Sequence, residues 1–134
     1  MRVEISRSVI DAICAAAAAD RAEICGLLFG TDAAITGWRQ AANVHPDPAR
    51  HFEIAPAALI AALRAERAGG ERLIGYVHSH PGGRADPSPT DAANAAPDGR
   101  LWLIVGGGGQ ARLWRATTRG FVPVELATSP VAAT

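Results

Sequence analysis

Apolar and polar positions alternate over residues 2–5, which predicts a short strand. Val9, Ile10, Ile13 and Cys14 then recur at helical spacing. Ser6 or Ser8 can cap that helix, and a run of alanines carries it to about Ala19. Residues 24–29 are continuously apolar and stop at Gly30, as a buried strand does. Residues 34–41 read as its partner across a turn at Gly30, Thr31 and Asp32. A loop over 43–48 holds two prolines, and 51–54 read as a short extended piece. Pro56 opens a second helix over 57–68 with Leu59, Ile60 and Leu63 on one face, and Gly69 and Gly70 end it. Residues 73–80 form a strand halted by Pro81, followed by a loop over 82–87 and a short helix over 88–95. Three closing strands are predicted over 101–105, 110–116 and 121–126. Helices interspersed with strands, then a run of strands, predict an α/β class fold: one α+β mixed sheet flanked by helices. There is no internal repeat and no linker, so 1–127 read as one domain and 128–134 as a flexible C-terminal tail.

Composition narrows the class. The chain has 134 residues, of which 49% are hydrophobic, so it can bury a real core and is not intrinsically disordered. Its 13 basic residues are all Arg and balance 13 acidic ones. That balance suggests neither a nucleic-acid stripe nor a polybasic membrane anchor. No apolar run approaches the ~20 residues of a membrane span, and the N-terminus lacks the apolar core of a signal peptide. Two cysteines, Cys14 and Cys25, make no disulfide framework. The expectation is a soluble cytoplasmic protein; its oligomeric state is left open.

The chemistry concentrates between His78 and Asp91. On a strand His78 and His80 share one face, about 7 Å apart along the chain. Two imidazoles on one face can grip one metal ion, and Asp91 follows a loop long enough to fold back. Two His and one carboxylate with an open fourth position form a catalytic zinc pattern. Ser88, Pro89, Thr90 and Asp91 also read as a helix start, with Ser as N-cap, Pro at N1 and an acid at N3. The two readings are compatible, because a capped helix end is a rigid mount for a ligand. Glu23, at the mouth of the buried run 24–30, is where a desolvated base would sit. An ordinary strand-edge acid is the plainer alternative. Cys25 reads as a small buried hydrophobe that could approach the metal, and Cys14 as helix core. His45 and His51 read as surface residues, and Gly106 to Gly109 as a flexible hairpin turn. Trp102 and Trp114 read as core, and the segment 82–84 as mobile at the cleft.

Glu23 with Ile24, Cys25, Gly26, Leu27, Leu28, Phe29 and Gly30, then His78-Ser79-His80-Pro81, Ser88 and Asp91, resembles the JAMM (JAB1/MPN/Mov34) metalloprotease family. Asn43, Phe52, Glu53, Ile54 and Pro56 resemble bacterial members. The resemblance implies an MPN/JAB-like fold with a cytidine-deaminase-like core. It implies one Zn²⁺ ion held by His78, His80 and Asp91, with a water in its open position. It makes Glu23 the general base and Ser88 the residue that stabilises the oxyanion. No covalent intermediate is then needed, so neither cysteine is required as a nucleophile.

The implied reaction is hydrolysis of the bond after the C-terminal Gly-Gly of a ubiquitin-like protein. Little room follows Asp91 for the insertions that shape a ubiquitin groove, so a minimal bacterial stand-alone type is expected. Its partner would be a ubiquitin-like sulfur-carrier protein or its C-terminal adduct, bound as an added strand beside the cleft. Assigning Glu23 and Asp91 to a metal leaves Arg in slight excess, which suits a mildly acidic partner. The chain offers no Lys side chain for isopeptide conjugation, which fits the cutter better than the conjugate. The alternative is a non-catalytic MPN-fold scaffold. A DNA-repair relative is disfavoured by the neutral charge, and a nucleobase deaminase by its missing Pro-Cys-x-x-Cys element.

Overall fold

The computed structural model describes residues 1–129. Its order is β1 (Arg2–Ser6), α1 (Arg7–Ala18), β2 (Cys25–Gly30), β3 (Ala34–Ala41), α2 (Pro56–Arg67), β4 (Leu73–His80), α3 (Pro89–Asn94), β5 (Leu101–Gly106), a 3-10 turn (Gly107–Gly109), β6 (Ala111–Thr117) and β7 (Gly120–Ser129). The tail expected over 128–134 starts too early: Thr128 and Ser129 pair with Ile5 and Ser6 as the end of β7. Residues 130–134 lie outside the described residues.

The expected mixed sheet is present, and it closes on itself in the order β1-β3-β2-β4-β5-β6-β7. The pairs β1/β3, β1/β7 and β4/β5 are parallel and the others antiparallel. The closing β1/β3 contact is short, with two residue pairs, Glu4 with Ala34 and Ile5 with Ile35. An extended partner added beside the cleft meets an obstacle, since β2 and β4 are each paired on both sides. Among the described residues, β3 beyond Ile35 pairs only with β2.

Strand alternation builds two cores. On one face Val3, Ile5, Leu28, Ile35, Val77, Leu101, Leu103, Val105 and Leu113 are buried against Val9 and Ile13 of α1. On the other face Leu27, Phe29 and Leu73 meet Ala62, Leu59 and Leu63 of α2. The register of β2 against β4 slips between Leu28 and Phe29, which skips Ile74. That slip brings Leu73 onto the same face as Tyr76, His78 and His80.

The second helix begins at Pro56 as expected, and Gly69, at φ +93°, follows its end. Its apolar stripe is narrower than the pattern predicts. Ile60 is 49% exposed while Ala62 is fully buried, because α2 covers only a small patch of sheet. Ser6 stands at the N-cap of α1 without a capping side-chain bond. Residues 51–54 form no strand; one bridge joins Asn43 to Ile54. No helix among the described residues is long and apolar enough to cross a membrane.

Candidate metal centre

β4 is the axis of the site. Its alternation sends Val77 into the α1 core and His78 and His80 to the opposite face. His78 is fully buried, and His80 lies largely buried where Pro81 ends the strand. Their Nε2 atoms converge to 3.1 Å. Ser79, between them, points back into the protein. Its Oγ accepts from Ile24 N at 2.9 Å, and its N–H donates to Ile24 O at 3.0 Å. These two bonds tie the His strand to the segment that carries Glu23.

Asp91 arrives on α3. Ser88 Oγ accepts from Asp91 N at 3.0 Å, and Asp91 Oδ2 accepts from Ser88 N at 2.9 Å. Together they form a reciprocal capping box. The same Oδ2 lies 3.1 Å from His78 Nε2 and 3.2 Å from His80 Nε2. The cap and the site are therefore one structure. Zinc bonds of about 2.0 Å in a tetrahedral site put neighbouring ligand atoms roughly 3.3 Å apart. The triangle of Asp91 Oδ2 and the two Nε2 atoms is close to one face of that tetrahedron. The remaining corner is occupied by none of these three atoms.

Glu23 is 6% exposed, and its carboxylate comes within 4.8 Å of the ring nitrogens of both His78 and His80. These three residues could hold a metal ion. Glu23 N donates to Pro48 O at 2.8 Å, and Glu23 O accepts from Asn43 Nδ2 at 2.9 Å. Burial pushes its carboxyl up to about 7, against a pull from His80 and with pushes from Asp91 and Asp47. Burial works the same way on Asp91, but hydrogen bonds from His78 and His80 outweigh it and hold that carboxyl well below the usual range. Burial lowers His78, while the hydrogen bond to Asp91 raises His80.

The loop over 82–87 is bonded to the chain beyond it at three points. Gly107 N donates to Gly83 O at 2.8 Å, Trp114 Nε1 to Ala85 O at 3.1 Å, and Arg112 pairs with Asp86 at 2.6 Å. Gly106 and Gly107 make this possible: a Cβ there would sit 2.8 Å from Gly83 O and 2.9 Å from Gly82 Cα. Only a residue without a Cβ allows so close a backbone approach. The glycine run is therefore a packing surface as well as a hairpin turn. His80 Nδ1 donates to Arg84 O at 2.8 Å within this loop.

Cys25 pairs across strands with His78, yet its Sγ faces Ala41 O and Ala42 O at 3.6 and 3.7 Å. Burial, then Glu23, pushes its thiol up to about 11, so it remains protonated at neutral pH. Cys14 packs at the edge of the α1 core as expected. His45 and His51 are partly exposed and contact each other at 4.9 Å. Trp102 is buried, not in either aliphatic core but against His78, Phe52, Tyr76 and Phe121. Trp114 is half-buried beneath Arg112. A cavity of about 540 Å³ opens beside Asp91, floored by Phe52, Tyr76 and Trp102. The reading of the sequence missed the tie through Ser79 and the four-way bonding of Asn43. A hydroxyl inside an apolar strand run was the available signal for Ser79; Asn43 was marked only by the resemblance to bacterial members, which says nothing of its bonds.

The profile of prokaryotic homologs of the JAB domain matches residues 6–118. A desampylase from Haloferax volcanii is 34% identical over 85 residues, 62% of this chain and 61% of that protein. A probable TtuB-protein conjugate cleaving protease from Thermus thermophilus is 45% identical over 53 residues, 40% of this chain and 36% of that protein. The chain thus spans less than two thirds of either relative. A solved structure from Desulfitobacterium hafniense superposes with a TM-score of 0.82 at 23% identity, covering 96% of this chain and 93% of that one. One described as a JAMM metalloprotease-like zinc site in the proteasome and signalosome superposes at 0.59 and 21% identity, covering 96% and 99%. Matched along most of its length and folded like these structures, the chain belongs to the family of prokaryotic homologs of the JAB domain.

Proposed function

We propose that this chain is a JAMM-type zinc metallopeptidase. Its substrate would be the bond after the C-terminal Gly-Gly of a ubiquitin-like sulfur-carrier protein. The convergence of His78 Nε2, His80 Nε2 and Asp91 Oδ2 within 3.2 Å, with Glu23 beside them, carries this reading. The relatives named for desampylation and for TtuB-conjugate cleavage support the substrate class. The free thiols of Cys14 and Cys25 suit a reducing compartment and support a cytoplasmic location.

His78, His80 and Asp91 would hold one zinc ion. Bound there, zinc would supply an acidified water, of pKa about 7, and would polarise a carbonyl oxygen. Glu23, with its carboxyl raised to about 7, takes the proton of the attacking water and returns it to the leaving amine. Ser88 Oγ accepts from Asp91 N, which leaves its own O–H free to donate to the developing oxyanion.

The test compares zinc-loaded protein on a sulfur carrier extended beyond Gly-Gly with an unrelated peptide. Cleavage of the carrier alone is expected; cleavage of the peptide alone overturns the substrate class. His78→Ala is expected to lose both zinc and cleavage, and Glu23→Gln only cleavage. A Glu23→Gln protein that still cleaves overturns the mechanism. Wild-type protein that takes up no zinc and cleaves nothing fits a non-catalytic scaffold instead.

A further inference from the structure

His78 and His80 are oriented by different means. His80 donates from Nδ1 to Arg84 O at 2.8 Å. A bond of this kind turns the other ring nitrogen toward a cation. His78 Nδ1 is buried and has no hydrogen-bond partner among the described residues. Its ring instead lies on Phe52, with centroids 4.1 Å apart and planes 18° from parallel. Trp102 stands edge-on to the same ring at 5.6 Å and 89°, and also to Phe52 at 5.8 Å. The terminal torsion of a His side chain is broad. With no hydrogen bond at Nδ1, the aromatic faces restrict the ring on that side, while Nε2 lies 3.1 Å from Asp91 Oδ2.

Phe52 lies outside the strands, on a segment held by Asn43. Asn43 Nδ2 donates to His51 O at 2.9 Å, and its Oδ1 accepts from Glu53 N at 3.0 Å. The same Nδ2 donates to Glu23 O at 2.9 Å, and the same Oδ1 accepts from His45 N at 3.1 Å. One side chain therefore sets the Phe52 segment and the Glu23 backbone in a common frame.

We propose that Phe52 is a positioning residue for His78, its ring face doing for His78 what the Arg84 carbonyl does for His80. Stacking restricts rotation without competing for the ring nitrogens. The inference rests on the metal reading of the site. It separates Phe52 from an ordinary apolar contact, for which any side chain of similar bulk would serve.

The experiment measures zinc affinity by competition with a chromogenic chelator and records the visible spectrum of the Co²⁺-substituted protein. It covers wild type, Phe52→Tyr, Phe52→Leu and Phe52→Met. Phe52→Tyr keeps the flat face and is expected to match wild type in both readouts. Phe52→Leu is expected to bind zinc about 10–100-fold more weakly, with an altered cobalt band. Its chelator-treated form is expected to melt as a folded protein. Phe52→Met lacks the flat face too and carries the same expectation should Phe52→Leu fail to fold. Wild-type affinity and spectrum in the Leu and Met variants overturn the proposal, as does an equal loss in Phe52→Tyr. A wild-type protein that binds neither metal overturns instead the reading of the site from which this inference starts.

Discussion

The two faces of the sheet do different work with the same strands. The face under α1 is sealed: Ile5, Ile13, Leu28, Ile35, Val77 and Leu103 have no exposed surface, and the cluster is aliphatic. The face toward α2 has a smaller apolar cluster, then gives way along β4 to Tyr76, His78 and His80. There the neighbours are aromatic rings and carboxylates rather than methyl groups. A period of two lets one strand serve a core and a site at once. The ionisable groups fall on one side, since the α2 face buries Glu23, His78 and Asp91, while Ser79, buried on the other, is satisfied by Ile24.

The comparison breaks most sharply at Glu23. Glu23→Gln is expected to reduce cleavage about 10²–10⁴-fold, measured as kcat/KM on the extended carrier, while the α1 core stays intact. On the sealed face, Leu103→Ala is expected to cost about 2–5 kcal/mol in urea denaturation, and to leave zinc stoichiometry unchanged in the folded fraction.

Glu23 also predicts the opposite sign for stability. Its carboxyl rises from 4.5 to about 7 in the folded chain. Below pH 4.5 both folded and unfolded states are protonated and the group is neutral to stability. Between 4.5 and 7 the unfolded chain ionises first, so stability falls as pH rises, by on the order of 3 kcal/mol in all. Metal-free Glu23→Gln is therefore expected to melt higher than metal-free wild type at pH 8. The gap should close toward pH 4 in a thermal melt series. An equal melting temperature at pH 8 would mean that the carboxylate is not desolvated.

The smallest effect is expected at Ser88. Ser88→Ala removes the cap on α3 and is expected to cost about 1 kcal/mol of stability in chemical denaturation. It also removes the hydroxyl assigned to the oxyanion. A further loss of kcat beyond the stability cost would divide those two roles, and zinc content should hold, because Asp91 still approaches both imidazoles.

Much of this was legible along the chain. β3 spans the predicted residues 34–41, and β4 the predicted 73–80, because turn glycines and a proline bound apolar runs of strand length. The capping box of Ser88 and Asp91 was also local, its two partners three residues apart. Ile60 misled because helical spacing marks a stripe but not how wide a sheet patch will cover it. The 82–84 segment, with two glycines, read as mobile; the bond from Gly107 N to Gly83 O and the neighbouring bonds of Trp114 and Arg112 to Ala85 and Asp86 all come from beyond β5, out of reach of local pattern.

Local pattern was enough for the strand alternation, the placing of His78 and His80 on one face, the capped acid at Asp91 and the position of Glu23 before a buried run. Each depends on neighbours within a few residues, where backbone period and side-chain chemistry decide the outcome. It took the folded chain to show that the sheet closes, that Ser79 ties Ile24 to β4, that Asn43 joins Glu23 to the Phe52 segment, and that Phe52 lies on His78. Those contacts join distant parts of the chain, and packing rather than periodicity selects them.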